Sequence, residues 1–433
     1  MYRINLETLK KWKTKPHRKP LIIRGARQVG KTWLMKEFGK AAFEQTVYLN
    51  FDGNATLKSI FTASSDPAQI LSGIEIYIGH KISLPDTLLI FDEVQEVPQA
   101  LSALKYFYEQ KPEIPIICAG SLLGIALHEG TSFPVGKVEF LNLYPMTYEE
   151  FLLGLGQKTL VDLLHSGQTS LMAGFKEKYI EYLRLYYYIG GMPEAVAQYL
   201  ETKDLGQVRA IQEQILAAYE QDFSKHAPNH VVPRIRMVWN SLLSQLAKEN
   251  KKFIYGLLRQ GARAKEFEEA ILWLSDCGLI HKVSRCTVPE LPLKAFEDLK
   301  TFKLYVLDVG LLGAMARLQP QVLLEGSTLF TQYKGALTEQ YVLQQLLSSQ
   351  DIQVAYYTNN TNTAEIDFLL DTGASLIPLE VKAEENLRAK SLRAYCDKYK
   401  PAIALRTSMS DYRKEDWLTN IPLYAMDSWQ RFV

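Results

Sequence analysis

A glycine-rich segment near the N-terminus leaves few folds open to this chain. It follows a short apolar run, Leu21–Arg24, fits the pattern G-x-x-x-x-G-K-[ST], and precedes a helix-forming stretch, Trp33–Phe38. Its residues are Gly25, Ala26, Arg27, Gln28, Val29, Gly30, Lys31 and Thr32. Between a strand and a helix, glycines let successive backbone N–H groups curve around phosphate oxygens, and the helix start adds partial positive charge. The segment therefore predicts an α/β P-loop NTPase fold in which all eight residues contact a nucleotide.

Two side chains of this loop and two acids further along predict a site for Mg2+ and ATP. We expect Lys31 to reach the β- and γ-phosphates and the Thr32 hydroxyl to bind Mg2+. A second apolar run ends in Asp92 and Glu93, and unpaired carboxylates are costly to bury. Asp92 is predicted to hold the metal ion. Glu93 either polarises the attacking water or is an exposed loop acid.

Apolar runs rich in Val, Ile and Leu alternate with helical stretches over the first third of the chain. They are Leu21–Arg24, Val47–Asp52, Thr87–Asp92, Ile114–Ser121 and Val138–Leu143. This alternation is typical of parallel strands buried on both faces. Ser121, at the end of the fourth run, is predicted either to sense the γ-phosphate beside Asp92 or to cap the helix that follows.

Composition limits the partners and the compartment. The 433 residues include 49 Lys and Arg against 48 Asp and Glu, which excludes a uniformly basic nucleic-acid coat but not a local basic face. The four cysteines form no C-x2-C pair, so a zinc knuckle or a disulfide framework is not expected. No apolar run reaches the length of a membrane span, and no apolar segment follows the N-terminal lysines. We expect a cytoplasmic protein that does not contact membranes.

The last hundred residues carry a second group of chemically active side chains. Two predicted strands, 364–370 and 376–382, contain Asp367 in the first and Glu380 and Lys382 in the second. Glu380 and Lys382 share a face because side chains alternate along a strand. The two carboxylates could then bind a second Mg2+ or Mn2+, and Lys382 could position a hydroxide or stabilise a phosphorane-like transition state.

A helix before these strands adds a third acid. Glu339 lies on the same helical face as Val342, Leu343 and Leu346, where an unpaired charge would be costly. We therefore include Glu339 among the candidate metal ligands. The cluster is either catalytic or part of a degenerate fold that is kept for binding.

Three segments resemble the prokaryotic AAA-family ATP-binding proteins that carry a C-terminal domain similar to PD-(D/E)XK nucleases. They are Ile22–Thr32, Phe133–Phe140 and Leu143–Phe151. The resemblance covers nearly the whole chain. Where those proteins usually have Gly-Arg, this chain has Gly136-Lys137, and lysine lacks the bidentate fork of arginine. The source of an arginine finger therefore stays open, and with it the question of a homo-oligomer.

Taken with the pattern of helices and a proline-tipped hairpin, the resemblance implies four domains. They are a P-loop AAA-type core (1–155), a helical lid (156–230), a winged-helix-like domain (231–320) and a PD-(D/E)XK nuclease-like α/β domain (321–433). A similar Gly-Gly-x-Pro element in the family would place residues 190–193 in the lid. Those glycines allow a close backbone approach, a hinge or a plain turn.

The predicted winged helix is locally basic, with 14 Lys and Arg against 9 Asp and Glu between Val231 and Pro320. A candidate phosphate-tracking face comprises Lys251, Lys252, Arg259, Arg263, Lys265, Lys282 and Arg285. The same residues would equally suit a solvated or protein-docking surface. Two functions follow. One is an ATPase that engages DNA or RNA and carries a second, nuclease active site. The other is an ATP-dependent switch for a protein partner or self-association, with an inactive nuclease-like docking module.

Overall fold

The computed structural model describes residues 2–120, 133–248, 251–324, 331–348, 352–359, 364–385 and 388–433. The chain forms two compact units. The first comprises Arg3–Tyr144 and Asp276–Gly278, and the second comprises Met1–Tyr2, Pro145–Ser275 and Leu279–Val433. The sequence placed boundaries at 155, 230 and 320. The two compact units divide after residue 144, and the boundaries at 155, 230 and 320 stay predictions.

Five parallel strands form the sheet of the first unit. They are β1 (Leu21–Arg24), β2 (Gln45–Asn50), β3 (Thr87–Asp92), β4 (Ile116–Ala119) and β5 (Glu139–Asn142). The order across the sheet is β2-β3-β4-β1-β5, and each neighbouring pair is parallel. Every residue of β3 is buried, as expected for a strand covered on both faces. The predicted parallel α/β fold is confirmed.

Helices separate most of these strands and carry recognisable start signals. They are α1 (Asn5–Thr14), α2 (Lys31–Ala42), α3 (Ala55–Ala63), α4 (Pro67–Ile78) and α5 (Pro98–Gln110). The Asn54 side chain accepts from the Leu57 N–H at the start of α3, and Asp66 with Pro67 begins α4. Phe51, Phe61 and Phe91 meet edge to face with centroids 5.3–5.6 Å apart. These rings pack α3 against the sheet edge where β2 and β3 end.

The second unit contains a mixed sheet of eight strands. They are β6 (Ile280–Cys286), β7 (Glu297–Val306), β8 (Gln353–Thr358), β9 (Glu365–Asp371), β10 (Leu376–Val381), β11 (Leu405–Ser408), β12 (Arg413–Lys414) and β13 (Thr419–Pro422). Their order is β12-β13-β11-β10-β9-β8-β6-β7. The β6–β7 hairpin, expected as the wing of a separate domain, also pairs with β8 in parallel. Backbone hydrogen bonds thus join the hairpin to the sheet that contains the strands of the predicted nuclease-like domain.

Helices make up most of the rest of the second unit. They are α6 (Tyr148–Gly154), α7 (Lys158–Ser166), α8 (Thr169–Gly174), α9 (Lys176–Ile189), α10 (Pro193–Thr202), α11 (Leu205–His226), α12 (Val232–Leu246), α13 (Ala264–Asp276), α14 (Val309–Met315), α15 (Pro320–Leu324), α16 (Thr331–Ser348) and α17 (Lys390–Tyr399). Two tyrosines of α9 pack in the core of the second unit. Tyr179 stacks on Tyr424 with ring centroids 4.6 Å apart, and Tyr186 meets Tyr341 edge to face at 5.9 Å. Among the described residues, no helix is long and apolar enough to cross a bilayer.

At Gly190 and Gly191 the backbone passes close to Met146 and Asp308 inside the second unit. A Cβ at Gly191 would lie 2.1 Å from the Met146 carbonyl oxygen, and one at Gly190 would lie 2.1 Å from Asp308 Oδ1. The Gly191 N–H donates to Asp308 Oδ2 over 2.6 Å. Burial raises the pKa of Asp308, against the effect of the N–H groups that it accepts from. Space therefore requires glycine at both positions, and the φ of +74° at Gly190 also favours glycine.

Candidate functional site

The glycine-rich loop connects β1 to α2, and its shape depends on two glycines. Gly25 has a φ of +148°, and a Cβ there would lie 2.2 Å from the Leu143 carbonyl oxygen. Gly30 precedes the first turn of α2 with a φ of +92°, a conformation that costs side-chain-bearing residues free energy. The loop thus turns tightly past the end of β5 and delivers its last residues to the start of α2, as an anion-binding loop requires.

Lys31 lies across this loop. The residue is 8% exposed, and its ammonium donates to the carbonyls of Gly25 (2.8 Å) and Ala26 (2.7 Å). Burial lowers the pKa of Lys31 to about 8, although Glu93 and Asp92 act in the opposite direction. A nucleotide phosphate would place negative charge beside this buried cation, so the loop favours an anionic ligand.

The two side chains predicted to bind magnesium, those of Thr32 and Asp92, are in direct contact. The Thr32 hydroxyl donates to Asp92 Oδ2 over 2.7 Å, and Asp92 is 4% exposed. The other oxygen, Oδ1, accepts from the Glu93 N–H over 3.1 Å. A hydroxyl and a carboxylate at the start of a helix and the end of a strand suit Mg2+, which prefers oxygen ligands and keeps several waters. The donor set fits the ion.

Tyr48 on β2 was not predicted from the sequence. Its hydroxyl donates to the same Asp92 Oδ2 over 2.9 Å. Burial raises the pKa of Tyr48, and the hydrogen bond to Asp92 and the charges of Asp92 and Glu93 add to the effect. Strand alternation could have indicated this contact with Asp92, because Tyr48 and Asn50 share one face of β2 and Asn50 pairs with Asp92.

Glu93 follows Asp92 in a left-handed backbone conformation, with a φ of +50°. Such a conformation is uncommon for a residue with a side chain and is often found at functional sites. Gln95 donates from Nε2 to Glu93 Oε2 over 2.7 Å, which holds the carboxylate just beyond the strand end. Ser121, the predicted phosphate sensor, lies outside the described residues.

Lys137 is bound within the first unit. Its ammonium pairs with Glu109 at 3.0 Å and lies 5.5 Å from the centre of the Tyr108 ring. It therefore has local partners in the position where the family resemblance would place an arginine.

The C-terminal candidates are held by lysines and a backbone N–H. Lys382 pairs with Glu380 at 2.5 Å, and Asp367 accepts from the Val381 N–H over 2.8 Å. The second oxygen of Glu380, Oε2, is buried and has no hydrogen-bond partner among the described residues. Asp367, Glu380 and Lys382 are therefore neighbours on β9, β10 and the residue after β10, as the strand pattern predicted.

Glu339 on α16 has partners that the sequence interpretation did not assign to it. Its Oε1 is 2.6 Å from the Lys251 ammonium, and its Oε2 accepts from the Tyr305 hydroxyl over 3.1 Å and lies 3.9 Å from the Lys303 ammonium. Lys303 is fully buried and also pairs with Glu365 at 2.5 Å. The position of Lys303 within the apolar second half of β7 could have indicated this pairing, because a buried cation requires a counter-charge.

The acids Glu339, Asp367 and Glu380 form a carboxylate–lysine cluster with Lys251, Lys303 and Lys382. The pKa values of these acids are shifted in different directions. Burial, then the charges of Glu339 and Glu380, raise the pKa of Asp367 well above its usual range. Burial also raises the pKa of Glu380, against the effect of Lys382. Burial alone would raise the pKa of Glu339 too, but Lys251 and Lys303 outweigh it and the pKa is lowered. The lysines supply the positive charge that a metal ion would otherwise bring.

As placed, these acids do not fit a metal ion. In the part of the chain that the structure describes, no three carboxylate, imidazole or thiolate side chains are arranged to hold one. Both oxygens of Glu339 are already engaged by Lys251 and Tyr305. The predicted ligand set Glu339, Asp367 and Glu380 thus forms a cluster, but one that is neutralised by ammonium groups.

The predicted basic face is also partly neutralised. Lys251 pairs with Glu339, Arg259 with Glu266 at 2.5 Å, and Arg285 with Asp298 at 2.7 Å. Lys282 lies 4.5 Å from the centre of the Phe302 ring. Arg263 and Lys265 are exposed at the start of α13. The seven residues therefore do not form one uninterrupted cationic row.

Residues 17–152 match the family model described as an AAA domain. This part of the chain, which contains the glycine-rich loop and β3, is similar to AAA domains. Residues 180–322 and 334–426 match two models, each described as a domain of unknown function (DUF8612 and DUF4143). Neither description names a nuclease or a winged helix, so the nuclease-like resemblance of residues 321–433 and the winged helix stay predictions.

Solved structures with similar regions include a Walker-type ATPase of Pyrococcus abyssi, at 16% identity over 72% of this chain and 94% of that one, with a TM-score of 0.43. The Aeropyrum pernix ORC2 protein in its ADP form matches at 14% identity over 75% and 93%, with a TM-score of 0.31. Drosophila ORC bound to DNA matches at 15% identity over 72% and 94%, with a TM-score of 0.26. No curated protein matches the chain. Likenesses this distant assign no ligand or partner to this chain.

Proposed function

We propose that this chain is a magnesium-dependent ATPase. The observation that carries the proposal is the hydrogen bond from Thr32 to Asp92. Lys31 precedes Thr32 in the chain, and Glu93 follows Asp92. When bound, Mg2+ would supply positive charge against the negative charge that develops on the phosphates during transfer. Thr32 and Asp92 would hold the ion, Lys31 would bind the phosphates, and Glu93 would orient the attacking water.

Two variants separate nucleotide binding from hydrolysis. Lys31→Ala should abolish ATP binding, because it removes the cation that the loop surrounds. Glu93→Gln should keep binding but lower turnover by roughly 100-fold, the usual contribution of a positioned general base. Glu96→Gln, an exposed acid three residues later, is the matched control. Equal turnover in Glu93→Gln and the control would contradict the assignment of Glu93.

We further propose that nucleotide state controls engagement of DNA or RNA. Arg263, Lys265 and Lys282 are exposed cations on the second unit, and phosphate contacts of this type give salt-dependent affinity. ATP turnover should rise with DNA or RNA, and binding should weaken steeply between about 50 and 200 mM salt. Arg263→Ala with Lys265→Ala should reduce both effects. Arg184→Ala, on α9, is the control. A wild-type protein that binds neither polymer at low salt would refute this part.

The lysines of the carboxylate–lysine cluster favour a second candidate function, in which the C-terminal domain is a catalytically inactive docking module. Because Lys251 and Lys303 occupy Glu339, we propose that the C-terminal cluster stabilises the fold and that ATP regulates a protein partner or self-association. Wild-type protein should then cut no DNA or RNA with Mg2+ or Mn2+, while nucleotide changes its protease sensitivity or oligomeric state. Metal-dependent cleavage that is lost in Asp367→Ala or Lys382→Ala would instead establish a nuclease.

A further inference from the structure

Tyr48 reaches the predicted magnesium site from the strand next to Asp92. The register pairs Tyr48 with Ile90 and Asn50 with Asp92, so alternation directs the side chains of Tyr48 and Asp92 to the same face of the sheet. The result is the 2.9 Å hydrogen bond from the tyrosine hydroxyl to Asp92 Oδ2. This contact brings a residue of β2 into a site otherwise built from the P-loop and the end of β3.

Three donors together restrain the Asp92 carboxylate. Oδ2 accepts from the hydroxyls of Thr32 (2.7 Å) and Tyr48 (2.9 Å), and Oδ1 accepts from the Glu93 N–H (3.1 Å). Thr32 is itself a predicted metal ligand, and the Glu93 N–H belongs to the next residue. Of these three donors, Tyr48 is the one that lies outside the two motifs and can restrain the carboxylate independently of them.

The tyrosine ring is itself held in place. The Lys36 ammonium lies 3.7 Å from the centre of the ring, on α2 one turn beyond Thr32. A cation over an aromatic face is an attractive contact, and here it fixes the ring against the helix that begins at the P-loop. The hydroxyl is thus directed at Asp92 by both the strand and the helix.

We propose that Tyr48 is a positioning residue for the magnesium ion of the nucleotide site. Its hydroxyl restrains the rotation of the Asp92 carboxylate, so that Asp92 meets the metal and its waters without reorganisation. This inference rests on the proposed magnesium–nucleotide site. Partners of a metal-binding carboxylate typically change metal affinity by about 10- to 100-fold when they are removed.

The test measures metal dependence separately from turnover. Affinity for a fluorescent ADP analogue is measured in EDTA and across a Mg2+ titration for wild type, Tyr48→Phe and Tyr108→Phe. Tyr108 is a half-buried tyrosine on α5 whose ring lies near Lys19, and its variant removes a hydroxyl away from the site. Thermal unfolding of each protein checks the fold.

Tyr48→Phe should keep wild-type affinity in EDTA and need about tenfold more Mg2+ to reach the tighter complex. Turnover should recover when Mg2+ is raised, whereas Tyr108→Phe should match wild type throughout. An unchanged Mg2+ midpoint in Tyr48→Phe would overturn the inference, as would an equal loss of affinity with and without metal. A wild-type protein whose nucleotide affinity does not depend on Mg2+ would instead overturn the proposed function itself.

Discussion

We expect the buried ammonium of Lys31, in the glycine-rich loop, to lower the free energy of unfolding of the first unit when no ligand is bound. Lys31 is 8% exposed, and its pKa falls from 10.5 to about 8 because burial penalises the charged form. At neutral pH the side chain is protonated in both states, so the folded chain carries the full penalty of about 3 kcal/mol. Lys31→Met keeps the length of the side chain and removes the charge. We expect it to stabilise the first unit by about 1–3 kcal/mol at pH 7, the lower figure allowing for two lost hydrogen bonds.

The stabilisation should depend on pH. Between about pH 8 and 10.5 the unfolded chain binds a proton that the folded chain does not, so wild-type stability rises with pH in that window. The difference between Lys31→Met and wild type should therefore shrink by roughly 2 kcal/mol between pH 7 and 9.5.

Denaturant unfolding across this pH range checks the prediction, and addition of Mg-ATP to wild type identifies the transition of the first unit. Lys40→Met, an exposed lysine on the same helix, is the control and should shift stability by less than about 0.5 kcal/mol at every pH. A Lys31→Met protein that is less stable than wild type at pH 7, or a difference that does not change with pH, would refute the reasoning.

Three further substitutions test the packing around the two candidate sites. Gly25→Ala should abolish nucleotide binding and destabilise the first unit by about 2 kcal/mol or more, since its Cβ would lie 2.2 Å from a carbonyl oxygen; calorimetric titration and denaturant unfolding measure both. Gly191→Ala should destabilise the second unit by at least as much, because its Cβ would lie 2.1 Å from the Met146 carbonyl oxygen; Gly174→Ala, where nothing lies within 4 Å, should leave the unfolding midpoint unchanged. Lys303→Met should cost about 3–5 kcal/mol, the usual loss when one partner of a buried ion pair is removed. The exposed Lys300→Met is its control in the same unfolding assay, and equal midpoints for the two would show that Lys303 does not compensate Glu339 and Glu365.

Local patterns were enough to predict which side chains of the proposed nucleotide site lie close together. A P-loop and a strand ending in an acid each occupy a few consecutive residues, and the carboxyl ends of parallel strands meet at one sheet edge. The sequence alone was therefore enough to place Lys31, Thr32 and Asp92 together. It was not enough for Tyr48, because the contact of Tyr48 with Asp92 spans 44 residues and depends on the register between β2 and β3.

In the C-terminal cluster, too, some contacts could be predicted from the sequence and others depended on the tertiary structure. Alternation along two strands was enough to bring Asp367, Glu380 and Lys382 together. The identity of the counter-charges was not predictable in this way, since Lys251 lies 88 residues from Glu339 in sequence. Lys251, one of the residues of the candidate phosphate-tracking face, is instead paired with this acid.

By itself, the sequence determined the parallel α/β class of the first unit, the glycine-rich loop between β1 and α2, and the two acids at the end of β3. These depend on contacts between near neighbours and on the alternation of side chains, which a linear pattern records. Only the tertiary structure decided that the β6–β7 hairpin joins an eight-stranded sheet, that Gly190 and Gly191 are required by space, and that lysines neutralise the C-terminal acids. Those outcomes depend on which distant segments pair, and pairing is settled by the free energy of the whole packed unit rather than by any one segment.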